Sequence, residues 1–105
     1  MHIHNAIYNT IHKDGISLSR ASGIADFLLL YIKTPTLLQV YENTYTITDP
    51  SVVIISGYTP YKYLSVTKPY CDDYIHFLPR NTDGFLKELH FPLNQPIKIN
   101  NHHLI

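Results

Sequence analysis

The run Val52-Val53-Ile54-Ile55 constrains this chain more than any other stretch. Four consecutive apolar, β-branched residues suit a buried strand and are too few for a helix. Thr48-Asp49-Pro50 precedes them as a turn cluster, because Pro cannot donate a hydrogen bond into a central ladder. A turn bearing Gly57 and Pro60 follows, and the chain resumes as Tyr61-Lys62-Tyr63. In an extended strand that alternation sets both phenols on one face and the ammonium on the other. Ser51–Tyr63 therefore reads as strand, turn, strand with two tyrosines aimed to one side, the wall of a small β-barrel and its pocket.

The same punctuation organises the rest. Ile24–Lys33 is apolar on both parities apart from Asp26, as in a strand covered on both sides, and Pro35 stops it before it reaches helix length. Leu37–Tyr41 and Tyr45–Ile47 flank Glu42-Asn43-Thr44, a hairpin in which Asn43 is expected to take the left-handed conformation of the turn. Tyr61–Val66 and Tyr70–Leu78 are separated by a turn at Lys68-Pro69, and Ile97–Ile99 forms a last short strand. Thr82 or Asp83 caps a short helix predicted over Gly84–Leu89, whose apolar face is Phe85, Leu86 and Leu89 and which Pro92 ends. Residues 1–23 keep no sustained period; they read as an arm with one short strand, Arg20-Ala21-Ser22-Gly23 being a turn. Short strands at intervals of about eight to twelve residues with turn signals between them predict an all-β sandwich or barrel.

Composition narrows the function classes. The chain has 105 residues, enough for one domain with one core, and it is 45% hydrophobic and 15% charged, as a globular chain is. Its eight basic and eight acidic residues cancel, which leaves little with which to grip a phosphate backbone. No apolar run approaches the roughly 20 residues of a membrane-spanning helix. The N-terminus lacks the layout of a signal peptide, and the single cysteine, Cys71, cannot form an internal disulfide. The expected compartment is the cytoplasm, without a membrane partner.

Taken in order, the apolar strand Phe27–Ile32, the hairpin, Ser51-Val52-Val53-Ile54-Ile55, the Pro-bearing turn ending in Tyr63, Tyr74-Ile75-His76-Phe77, Phe85-Leu86-Lys87-Glu88-Leu89 and Pro92-Leu93-Asn94 resemble the N-terminal cupin-like sensor domain of AraC-family transcription regulators. The resemblance covers roughly residues 16–99. It implies a double-stranded β-helix (a cupin or jelly-roll barrel) with one short helix near residues 84–89. It also implies an effector site, often for a sugar, and frequent dimerisation, with DNA read only by a C-terminal helix-turn-helix domain that lies outside this chain. Residues 1–15 would be the arm and 16–105 the sensor. The chain departs from the family where Pro-Pro-Gly-Thr-Pro-His-Arg-Tyr is common: here Ser56-Gly57-Tyr58-Thr59-Pro60-Tyr61-Lys62-Tyr63 puts Tyr61 in place of the histidine and Tyr58 in place of the glycine. Asn43 and Pro50 stand at two further glycine positions.

Metal-dependent cupins need several imidazoles and a carboxylate converging in the barrel. Leu37–Ile47 holds no histidine, and His76 is the one histidine on a predicted barrel strand. His2, His4, His102 and His103 lie in terminal segments and read as solvated. No metal, cofactor or enzymatic activity is therefore expected. Parity sets Tyr61 and Tyr63 on one face of one strand, and Asp72, Tyr74 and His76 on one face of another; Cys71, Asp73, Ile75 and Phe77 take the opposite face and read as core. Aromatic rings beside a carboxylate suit a polyol, the rings stacking on C–H faces and the carboxylate accepting hydroxyl hydrogen bonds. The resemblance implies ligand contacts at Arg20, Tyr63, Asp72 and Tyr74. The competing reading makes the tyrosines packing residues, Asp72 a solvated acid and His76 a half-buried histidine bonded to backbone. The expected site is thus Arg20, Tyr61, Tyr63, Asp72, Tyr74 and His76. The expected function is sensing of a small polar effector, a carbohydrate first among the candidates, by a domain that also dimerises. The alternatives are a small metal-dependent cupin enzyme or a free-standing sugar-binding jelly roll.

Overall fold

The structure, a computed structural model, describes residues 2–78 and 92–99. These form nine strands and no helix: β1 (His2–His12), β2 (Ser17–Arg20), β3 (Phe27–Ile32), β4 (Thr36–Val40), β5 (Asn43–Ile47), β6 (Ser51–Ile55), β7 (Tyr61–Ser65), β8 (Tyr70–Leu78) and β9 (Ile97–Lys98). The helix expected over residues 84–89 lies outside the described residues. All strand pairs are antiparallel, and they build two sheets, ordered β1-β8-β3-β6-β9 and β2-β7-β4-β5. β1 pairs with β8, β2 with β7, β3 with β6 and β4 with β5, so the first eight strands behave as one long hairpin rolled up on itself.

The sheets face each other across one core. Leu28, Leu30 and Ile32 of β3, Val53 and Ile55 of β6 and Tyr70 of β8 meet Leu38 and Val40 of β4, Ile47 of β5 and Tyr61 and Tyr63 of β7, all buried. Period-two alternation supplies these residues: β3 buries every second side chain, and β4 does the same. Apolar surface removed from water at about 25 cal/mol per Å² is the main term holding the sheets together.

Several local expectations shift. The segment read as an arm with one short strand carries two strands, and β1 runs the length of β8. Its apolar residues Ile3, Ile7 and Ile11 point outward and are exposed, so hydrophobic periodicity concealed the strand. Two register shifts, between Ile3 and Asn5 and between Ile7 and Thr10, let it bend, and Asn9 takes a positive φ of 51° in the second. The β4–β5 hairpin turns on Tyr41 and Glu42, with the positive φ (54°) at Tyr41 and Asn43 already in the strand. On β8 the face carrying Tyr70 and Asp72 is the one turned to the core. Of the opposite face only Phe77 is buried, against Phe27, while Cys71, Asp73 and Ile75 are half-buried.

Glycine is required at the turn after β2. Gly23 sits at φ +68°, its N–H bonds the Arg20 carbonyl at 3.0 Å, and a Cβ there would lie 2.5 Å from the Thr59 nitrogen. This close approach locks the β2–β3 turn to the β6–β7 turn, where the Tyr58 N–H bonds the Ile24 carbonyl. That junction sits at one end of the space between the sheets.

Candidate functional site

The inward face of β8 presents Tyr70, Asp72, Tyr74 and His76 in sequence, as alternation requires. Across the sandwich, β7 presents Tyr61 and Tyr63, whose rings lie nearly parallel (6°) with centroids 6.3 Å apart. Tyr63 also packs on Tyr70 at 5.8 Å, and Tyr74 meets the His76 ring edge-on at 5.3 Å. Between these walls is a cavity of about 310 Å³, near the lower end of ligand-pocket sizes (about 300–1,000 Å³). Arg20, Tyr61, Tyr63, Asp72, Tyr74 and His76, the six residues expected from sequence, all line it.

Apolar residues of β2 and β3, with Ile16 and Ile24, complete the wall, and β1 adds two polar groups that the sequence did not reveal, Thr10 and His12. The β1–β8 register sets Thr10 opposite Asp72 and His12 opposite Tyr70. Their signal, a polar Thr-X-His alternation, was masked by the exposed isoleucines around it. A second concavity of about 330 Å³ lies on the outer face of the four-stranded sheet, beside the exposed Leu37 and Leu64, and includes no buried acid.

Asp72 is the chemical centre of the inner cavity. It is only 2% exposed. Its Oδ2 accepts a hydrogen bond from the Tyr70 hydroxyl at 2.5 Å, while its Oδ1, although buried, has no partner among the described residues. Thr10 Oγ1 is the other buried side-chain oxygen without a partner there. Two orphan oxygens thus belong to facing residues that both line the cavity, and a buried polar atom without a partner costs about 1–3 kcal/mol. Burial raises the Asp72 carboxyl above its ordinary value; the Tyr70 hydrogen bond and nearby His12 act in the opposite direction without cancelling it. The Tyr70 phenol is raised by burial and by its donation to Asp72, and Tyr63 is raised by burial, with Asp72 adding to it. Tyr61 is raised by burial against the opposing pull of Arg20, whose exposed side chain stands at the rim.

These phenols stay protonated and serve as donors and ring surfaces. The arrangement accepts hydrogen bonds at Asp72 Oδ1, accepts or donates one at Thr10 Oγ1, and offers stacked aromatic faces. Among the described residues no cluster of three or more His, Cys, Asp or Glu side chains is arranged to hold a metal ion.

A latch on the outer face holds this wall. Asp73 Oδ1 accepts from the Asn9 N–H at 2.6 Å and pairs with Lys33 Nζ at 2.9 Å, and Lys33 also donates to Asn9 Oδ1 at 2.6 Å. Since Asp73 and Asp72 are adjacent on β8, the outer contact fixes the bulge that delivers Thr10 to the inner face.

No family model matches the chain, and no curated protein matches it. Among solved structures it is similar to the plu4264 protein from Photorhabdus luminescens, with a TM-score of 0.53 and 14% identity. The match covers 72% of this chain and 64% of that one. At that identity the likeness speaks to the fold alone. Among the described residues no helix is long and apolar enough to cross a membrane.

Proposed function

We propose that this chain is a ligand-sensing domain of the double-stranded β-helix type that binds a small, neutral, hydroxyl-rich effector, with carbohydrate as the favoured class. The pairing of strands one to eight, two to seven, three to six and four to five supports the fold, because rolling one long hairpin in this way makes a jelly roll. The observation that carries the ligand reading is the unpartnered Oδ1 of Asp72, buried in the inner cavity opposite the equally unpartnered Thr10 hydroxyl. A ligand hydroxyl donating to Asp72 supplies what that oxygen lacks, and the parallel Tyr61 and Tyr63 rings suit the apolar face of a sugar. The resemblance to AraC-type sensors adds the regulatory part: occupancy would reach a DNA-binding domain only if the ligand binds two states of the protein with different affinity.

The test is a thermal-shift screen against mono- and oligosaccharides, with divalent metals and EDTA as controls. A ligand that binds only the folded state raises the midpoint by mass action. The expected result is a sugar-dependent rise that survives EDTA and is lost in Asp72→Asn and Thr10→Val, which keep side-chain volume. A rise that requires metal and disappears in His76→Ala would replace this reading with the metal-dependent one.

A further inference from the structure

Among the described residues the two sheets have four edge strands, β1 and β9 on one and β2 and β5 on the other. Exposed edges pair with other chains unless something blunts them. β1 is broken by two register shifts, β9 has two residues, one of them Lys98, and β2 has four residues and ends on Arg20. β5 has none of these devices. Asn43-Thr44-Tyr45-Thr46-Ile47 carries no charge and no proline, pairs with β4 without a register break, and is rich in residues that favour strands. Among the described residues it is paired only with β4.

Which backbone groups are open follows from the hairpin. The two-residue turn Tyr41-Glu42 makes Val40 and Asn43 its closing pair. Hydrogen-bonded and non-bonded pairs alternate from there, so Asn43, Tyr45 and Ile47 direct their N–H and C=O groups toward β4. Thr44 and Thr46 direct theirs to the open edge, and both residues are exposed.

We propose that β5 is a self-association edge, on which two copies of this chain pair β5 with β5 antiparallel about a two-fold axis through Tyr45. The phase of the open groups is self-complementary. Thr44 lies opposite Thr46 of the second copy and exchanges two hydrogen bonds with it, and the symmetric pair does the same, so every open group of these four threonines is used. Thr–Thr is a favourable cross-strand pair. Charges fit as well: the acids flanking the strand, Glu42 and Asp49, fall opposite Thr48 and Tyr41 of the second copy, and no acid meets an acid. The two four-stranded sheets then continue into one, bringing the apolar outer patches around Leu37 and Leu64 toward a common surface. This association is independent of whether the inner cavity binds anything.

Sedimentation of the 105-residue chain tests it. The apparent mass should rise from 12.1 kDa toward twice that value as concentration passes from the micromolar into the millimolar range. Thr44→Lys with Thr46→Lys places like charges opposite each other and should weaken association at least about tenfold, while the fold itself is kept because both sites are exposed, as circular dichroism at a concentration where the wild type is monomeric would show. Thr44→Lys with Thr46→Glu instead sets each introduced ammonium opposite an introduced carboxylate of the second copy, and should restore association in a salt-sensitive manner. A wild-type mass of 12.1 kDa at every concentration overturns the proposal. So does association that the double-lysine variant leaves intact.

Discussion

Tyr70→Phe isolates the support given to the buried carboxylate. Tyr70 is fully buried, and its hydroxyl is the donor on Asp72 Oδ2. The substitution keeps the ring and its contacts with Tyr63 and His12 and removes only the oxygen. Asp72 then keeps its burial and loses its one donor, so neither oxygen has a partner among the described residues. A hydrogen bond to a charged group contributes about 1.5–3 kcal/mol, so a loss of about 2 kcal/mol is expected at pH values where the carboxyl is ionised. For a domain near this size that lowers the melting midpoint by roughly 8–16 °C.

The pH dependence makes the test sharp. Asp72 is raised in the folded state above 3.8, so between that value and its folded pKa the folded chain holds more protons than the unfolded one. Stability from this group therefore falls as pH rises through that window. The Tyr70 donor stabilises the ionised form, so its removal costs most above the folded pKa. Below it, where the carboxyl is protonated in both proteins, the cost shrinks to that of a neutral hydrogen bond, about 0.5–1.5 kcal/mol. Urea unfolding of both proteins across this range, followed by circular dichroism, measures the difference. A loss that stays constant with pH would refute the assignment of Tyr70 as the carboxylate's donor.

Three further outcomes follow from the same geometry. Gly23→Ala should cost about 2 kcal/mol or more by urea denaturation, because φ +68° is strained for alanine and the new Cβ meets backbone at 2.5 Å; a cost near zero would show that the turn moves freely. Leu38→Ala, at a fully buried site between the sheets, should cost about 2–5 kcal/mol, and a value below about 1 kcal/mol would contradict the face-to-face core. Asp73 is pushed upward by burial, but the Asn9 N–H and Lys33 outweigh this and leave it lowered, so its contribution is present above 3.8 and is lost as pH falls through the folded value. Because the Lys33–Asp73 pair is partly exposed, Asp73→Asn should cost at most about 1 kcal/mol, and less in high salt. Faster hydrogen exchange of the Asn9 amide in that variant would report the loosened latch.

The strands of the middle of the chain were legible because their signals are local. β-branched runs such as Val52–Ile55 and alternations such as Tyr61-Lys62-Tyr63 encode both the element and the sharing of faces. That is why the sequence alone puts Tyr61 and Tyr63 on one face of their strand and Asp72, Tyr74 and His76 on one face of theirs, as the structure does. Period two says which residues share a side; it does not say which side meets the other sheet. On β8 both parities are partly apolar, and only the packing of one sheet on the other turned Tyr70 and Asp72 inward and left Cys71 and Asp73 half-buried. β1 was illegible for a related reason: its isoleucines face solvent, and the strand is held by β8, by two bulges and by the Asn9–Asp73–Lys33 latch, all contacts across more than twenty residues of sequence. The sequence by itself thus determined the all-β class, the alternation and the identities of the pocket's aromatic and acidic groups. Only the tertiary structure decided that Thr10 and His12 join them, because a register between distant strands is set by summed long-range pairing that no local window contains.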